Sequence, residues 1–268
     1  MARDEEALDV DRLAAVSDLL YGLWTEGRRI AELPPSLRPR TRVEGYRIQG
    51  LLERRSAKPL FGWKIAATSV AGQNHIRVDG PLAGRILAER VINDGGECPL
   101  SGNLMRVAEL EFAFRMSADL PPQSQPYTIN EVMERVATLH PAIEIPDSRL
   151  ERFDRVGAAQ LIADNACAHY FLLGPASPPA WRSLNLAEYE IWGSIGGEAP
   201  RAGLGSNVLG DPRVALVWLV NELSLQGLTL RAGEVVTTGT CIKPLEIGQG
   251  DRLTGDFGSL GRVSITLT

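Results

Sequence analysis

Cysteine and histidine are scarce in this chain, with three of each among 268 residues. Cys98, Cys167 and Cys241 lie far apart and show neither a disulfide framework nor metal-ligand spacing. A disulfide-stapled secreted scaffold is therefore excluded, and a reducing cytoplasm is the expected compartment. His75, His140 and His169 have no acidic or hydroxyl partner at a suggestive offset, so each reads as structural. Without a histidine-rich zinc site, any metal has to rely on carboxylates. No apolar run approaches the ~20 residues that span a bilayer, and the acidic opening MARDEEALDVDRL lacks the regions of a signal peptide. A formal charge of −5 and the absence of long Lys/Arg blocks give no reason to expect nucleic acid or an anionic membrane as partner. No G-x-G-x-x-G or phosphate-cradling loop follows a strand, and no G-x-S-x-G elbow occurs. Nucleotide cofactors and an elbow serine thus have no support.

What is present is an ordinary globular composition, 44% hydrophobic and 23% charged, long enough for one sizeable core. Leu13, Val16, Leu20, Leu23 and Trp24 recur at helical spacing and predict a helix over 5–31. After the proline-rich loop 34–40, a second helix is expected over 42–55, burying Val43, Tyr46 and Leu51 or Leu52. Residues 1–60 thus read as a helical N-terminal segment resting on a main body over 61–268. From Phe61 onward the texture changes to short β-like runs divided by Gly and Pro: WKIAAT, GRILAERVI, VAELEFAFRM, AIEIP, YFLLG, LAEYEIWGSI, VVTTG, DRLTGDF and RVSITL. Two helices interrupt them. One is expected over 129–139, behind the capping-box pair Thr128 and Glu131. The other covers 212–226, between Asp211 with Pro212 and the stop at Gly227. Runs of strands broken by isolated helices predict an α+β fold with a mixed sheet folded on itself.

The chemistry-bearing residues concentrate in one strand. In VAELEFAFRM, the residues Ala108, Leu110, Phe112 and Phe114 share one face, leaving Glu109 and Glu111 on the other. Glu144, in PAIEIPDSR, alternates between Ile143 and Ile145. Three carboxylates brought together would repel unless a cation compensates, and an oxygen-only set suits Mg²⁺ or Mn²⁺. The ordinary alternative, a half-buried strand with its polar face in water, stays open because spacing does not show that the acids meet. Lys64, in GWKIAATS, is either a partly buried lysine able to polarise a carbonyl or one that snorkels from a strand end. The glycine-rich stretches GLGSNVLG (203–210), TTGT (237–240) and DFGSLG (256–261) expose backbone N–H groups that hold anions, or are simply hairpin turns.

Taken in order, these motifs resemble the 2-keto-4-pentenoate hydratase and 4-oxalocrotonate decarboxylase group of the fumarylacetoacetate hydrolase superfamily. GWKIAATS resembles its G-x-K-I-G-L-T-S, VAELEF its E-x-E strand, and PAIEIPDSR its P-A-I-E segment. ADNA (163–166), ALVWLVNEL with AGEVVTTGT, and GDRLTGDFGSLGRVSI match the C-terminal half in order. The resemblance runs from EGYRIQ (44–49) to GRVSITL (261–267).

It implies a mixed β-roll of the superfamily's C-terminal-domain type and a divalent ion, Mg²⁺ or Mn²⁺, on Glu109, Glu111 and Glu144. It also implies a catalytic Lys64 beside the substrate. Asp164 and Thr240 become further catalytic candidates, and Leu82, Asn165 and Gly239 join Lys64 as candidate substrate-binding residues. Gln73 matches a glutamine in the family's helix after the lysine. The implied reaction is addition of water to a 2-hydroxyalka-2,4-dienoate, with decarboxylation of a 4-oxalocrotonate-type acid as runner-up and a non-catalytic partner homologue as third reading. A homo-oligomer is implied as well. Three departures stand out: Leu82 in PLAG (81–84) where the family often has an acid, Cys167 where it has serine, and Ala66 where it has glycine.

Overall fold

In the computed structural model, residues 2–268 are described, with side chains from Val10 onward. Thirteen strands form among the described residues: β1 (Gly62–Ala66), β2 (Leu82–Ile86), β3 (Val91–Asn93), β4 (Glu97–Cys98), β5 (Val107–Met116), β6 (Val136–Ile145), β7 (Tyr170–Leu173), β8 (Glu190–Ile195), β9 (Arg201–Leu204), β10 (Val235–Thr240), β11 (Leu245–Glu246), β12 (Arg252–Asp256) and β13 (Arg262–Leu267). They make two sheets. The larger runs β2-β1-β10-β5-β6-β7-β3, with β11 beside β5, and the smaller runs β4-β13-β12-β8-β9. Pairing is mixed. β1 lies parallel to β10, whereas β5 is antiparallel to both β10 and β6. With helices α1 (Ala2–Glu26), α2 (Arg42–Gly50), α3 (Val70–Ile76), α4 (Ile129–Met133), α5 (Ala158–Ala163) and α6 (Pro212–Leu225), this is the expected α+β class.

Alternation in β5 divides the molecule. Leu110, Phe112 and Phe114 point into the main core, together with α6 and residues of the smaller sheet. Phe112 meets Phe257 edge to face at 5.3 Å, an arrangement that adds about 0.5–1.5 kcal/mol to simple burial. The opposite face carries a smaller apolar cluster of Ile86, Ala113, Ala142, Phe171 and Val235. Towards the N-terminus, Leu13, Val16 and Leu20 pack with Leu33, Ile48, Leu150 and Ala163, while Trp24 joins Leu52 and Leu87. None of the helices among the described residues is long and apolar enough to cross a membrane.

Several expectations shift. The capping box of Thr128 and Glu131 forms, but α4 stops at Met133 rather than running to 139. Val132, Val136 and Leu139 sit at helical spacing, yet ten-residue β5 needs a partner, and Leu139 pairs with Phe114 instead. Cross-strand burial overrides the periodicity. α1 ends at Glu26, short of 31, and the chain goes on to a bridge between Ile30 and Leu150. The second helix becomes a 3₁₀ turn over Leu51–Arg55, and Val43 is exposed although Tyr46 and Leu52 are buried. GRILAERVI is broken by a 3₁₀ turn at Ala88–Arg90, which sends β2 and β3 to opposite edges of the sheet. LAEYEIWGSI is a strand only from Glu190 onward. α6 leaves Val214 exposed and is therefore less enclosed than its composition implies.

The β1–β10 pair sets the position of Lys64 and depends on one close approach. A Cβ on Gly62 would stand 1.8 Å from the Val235 carbonyl oxygen, and backbone cannot yield cheaply there. Gly62→Ala should cost about 1–3 kcal/mol or more by overpacking. Urea denaturation checks this, and an unchanged midpoint would show that the strands separate freely.

Candidate active site

Strand register carries the separate motifs to one place. Glu109 pairs with Glu144, Thr237 with Ala113, and Lys64 with both Thr237 and Gly84. Directly paired residues share a face, and alternation repeats that face every second residue. Lys64, Glu109, Glu111, Glu144 and Thr237 therefore all point to the side opposite the main core; Leu82 shares that face by register but packs with the main core.

The three acids do meet. One oxygen from each of Glu109, Glu111 and Glu144 lies within 4.8 Å of the others. Glu111 and Glu144 are buried and Glu109 half-buried. Lys64 Nζ stands 3.1 Å from Glu144 Oε1 and donates to the Ala166 carbonyl at 3.1 Å. Glu111 Oε2 accepts from the Thr237 hydroxyl and from the Gly239 N–H, the latter at 2.8 Å. Gly239 has φ +99, and a Cβ there would collide with the Thr68 hydroxyl at 2.1 Å. That backbone donor can stand here only on glycine.

Burial raises all three acids of this cluster, and mutual repulsion adds to it for Glu109 and Glu111. Burial, then Glu144, push Glu109 up to about 7 against the pull of Lys64. Burial, then Glu144 and Glu109, raise Glu111 well above the usual carboxylate range. Burial raises Glu144 too, despite its ion pair with Lys64. For Lys64, burial alone would lower the ammonium, but the fields of Glu144, Glu109 and Glu111 outweigh it and the group is raised. It stays charged at neutral pH.

The donor set fits a hard divalent cation. Glu111 Oε1 and Glu144 Oε2 are buried without any hydrogen-bond partner, which is costly unless a cation takes them. One ammonium cannot balance three carboxylates, and the ligand atoms are all oxygen, as Mg²⁺ requires.

The other candidates are used differently. Asp164 is buried, with its carboxylate bonded to Ser148 and Arg149. Asn165 exchanges hydrogen bonds with the backbone of Arg85 on β2. Both hold the segment that presents the Ala166 carbonyl to Lys64. The Thr240 hydroxyl is engaged within its own turn, donating to the Ile242 carbonyl at 2.6 Å. Leu82 is fully buried, while Gln73 donates to the Ala67 carbonyl at 3.1 Å. Sequence reasoning missed Thr237, whose hydroxyl seats Glu111. It also missed the turn Asn165–Ala166–Cys167, where three successive residues have φ of 55°, 49° and 62°. Such left-handed runs are strained and cluster at functional sites. A signal for Thr237 existed: it lies two residues before Gly239, on the same alternating face.

No family model matches the chain. Over 247 residues it is 31% identical to the 2-keto-4-pentenoate hydratase of Paraburkholderia xenovorans, covering 91% of this chain and 90% of that protein. It is likewise 31% identical over 255 residues to the 2-hydroxyhexa-2,4-dienoate hydratase of Comamonas testosteroni, covering 93% and 95%. Its fold matches that of 4-oxalocrotonate decarboxylase from Pseudomonas putida G7, solved with magnesium and adipate, with a TM-score of 0.88 at 23% identity over 96% of this chain and 98% of that one.

If Thr237 fixes Glu111 as a ligand, Thr237→Val should weaken Mg²⁺ affinity by about 10–100-fold, the usual effect of losing a ligand's supporting bond. Calorimetric titration with Mg²⁺ reads this directly. Wild-type affinity in a folded variant would remove Thr237 from the metal-binding role.

Proposed function

This chain belongs to the 2-keto-4-pentenoate hydratase family, and we propose that it adds water to a 2-hydroxyalka-2,4-dienoate to give a 4-hydroxy-2-oxo acid. The observation that carries this reading is the buried convergence of Glu109, Glu111 and Glu144 beside the Lys64 ammonium. The fold reading that goes with it is a fumarylacetoacetate-hydrolase-type roll over 61–268 behind a helical N-terminal segment. A homo-oligomeric assembly belongs to the same proposal.

Glu109, Glu111 and Glu144 would hold Mg²⁺ or Mn²⁺, which when bound supplies Lewis-acid polarisation of the 1-carboxylate and 2-oxo oxygens of such a substrate. The protein's own part is positioning and charge. Ketonisation of the dienol moves its hydroxyl proton to solvent and places a proton on C5, leaving a C3–C4 double bond conjugated with the 2-oxo group. Water then adds its oxygen to C4, and negative charge develops on the C2 oxygen before a proton reaches C3. Lys64, anchored by Glu144 and the Ala166 carbonyl, puts a fixed ammonium next to that oxygen in a water-poor setting. Thr237 and Gly239 keep Glu111 from turning away. Leu82, on the same face as Lys64, offers an apolar wall and no proton. Asp164 and Asn165 position the Ala166 carbonyl rather than touch the reacting atoms, and Thr240 shapes the turn after Gly239. A non-catalytic role is disfavoured, because the unpartnered buried oxygens of Glu111 and Glu144 are costly to keep.

Purified protein with Mg²⁺ and 2-hydroxypenta-2,4-dienoate should consume the dienol absorbance. CO₂ release from 4-oxalocrotonate, with no change in the dienoate, would replace hydration by decarboxylation. Lys64→Met should lower kcat by about 10²–10³, the loss typical of one oxyanion donor; a wild-type kcat would remove Lys64 from the mechanism. Glu109→Ala should abolish Mg²⁺ binding with the fold retained, as seen by calorimetry alongside circular dichroism.

A further inference from the structure

We infer that a cleft of about 300 Å³ beside the C-terminal end of α1 is a second binding site, built for a small organic carboxylate and distinct from the acid cluster. Four guanidiniums, Arg28, Arg29, Arg90 and Arg149, face two carboxylates, Glu26 and Asp147, in its walls. The excess is two positive charges, and Asp164, behind Arg149, offsets one of them.

Both acids in the wall are already engaged. Glu26 pairs with Arg28, and Asp147 takes Arg29 together with the backbone N–H groups of Leu104 and Met105. Arg90 has no carboxylate partner among the described residues. Its guanidinium lies 4.6 Å from the Trp24 ring centroid and 5.2 Å from that of Tyr170, and donates to the Tyr170 hydroxyl at 3.1 Å. Arg149 stacks on the same indole at 4.8 Å. Two guanidiniums thus share one indole, Arg149 with Asp164 as its carboxylate partner and Arg90 with none among the described residues, and both arginines come from outside α1.

Two residues that line the cleft carry N–H donors unused among the described residues. Arg29 Nε is buried without an acceptor. His169 Nδ1 accepts the Trp24 indole N–H at 2.7 Å, so the neutral ring carries its proton on Nε2. Burial, then Arg149, Arg90 and Arg29, hold this histidine down to about 2, so the ring stays neutral throughout the physiological range. That Nε2–H has no protein acceptor among the described residues. Arginine forks match a planar carboxylate, and the Trp24 and Tyr170 rings suit a short carbon chain better than a hydrated inorganic ion. Trp24, His169 and Tyr170 also border a gap reaching Glu144, but its ~10 Å³ is room for about one water. A carboxylate in the cleft is therefore not one whose reacting end sits at the acid cluster.

The test is calorimetric titration of succinate into the full chain with excess Mg²⁺. Saturable binding is expected, weakened by salt, reduced about tenfold or more by Arg90→Gln through loss of a charged fork, and retained in Glu111→Gln, which disables the acid cluster. Arg29→Gln should weaken it too and serves as second probe if Arg90→Gln does not fold. Absence of saturable binding overturns the site, as does binding that survives both arginine changes or disappears in Glu111→Gln. Binding of inorganic phosphate with succinate silent overturns the carboxylate assignment.

Discussion

Three carboxylates crowded against one ammonium, away from water, are the constraint to which the rest of this molecule answers. An arrangement of this kind costs several kcal/mol per desolvated charge unless each partner is fixed and a further cation is admitted. The β5–β6 register supplies the fixing by placing Glu109 directly opposite Glu144. The parallel β1–β10 pair carries Lys64 to the same face. Neither pairing is local in sequence, so the site exists only once the sheet is complete.

Around that centre, backbone atoms do as much as side chains. The Gly239 N–H and the Ala166 carbonyl are the immediate partners of Glu111 and Lys64. Each is presented by an unusual backbone: a positive-φ glycine in one case and three successive left-handed residues in the other. The left-handed turn is held by Asp164 on Arg149 and by Asn165 on β2. Asp164 and Asn165 are engaged in holding that turn and its carbonyl oxygen, which accounts for an acid and an amide in so buried a place.

Much of this was legible beforehand. Alternation in VAELEFAFRM separated the acids from the apolar core face, and the same alternation located RVSITL with its bounds intact. The capping box at Thr128 was readable because a cap involves only four consecutive residues. The length of the helix behind it was not, since Val136 and Leu139 keep helical spacing and share a face of β6 only through the irregularity in its pairing with β5. The break inside GRILAERVI was hidden for a like reason: nothing in that run says that its halves belong to opposite sheet edges.

The sequence by itself determined which residues could bear the chemistry, which family they resemble, and that any metal must be bound by oxygen, because residue type and short-range alternation are properties of the chain alone. Only the tertiary structure decided that the three acids face one another, that Lys64 answers Glu144, and that Asp164, Asn165 and Thr240 turn towards backbone and arginine instead. Those outcomes depend on strand register and on backbone conformations at glycine and left-handed positions, which contacts distant in sequence select.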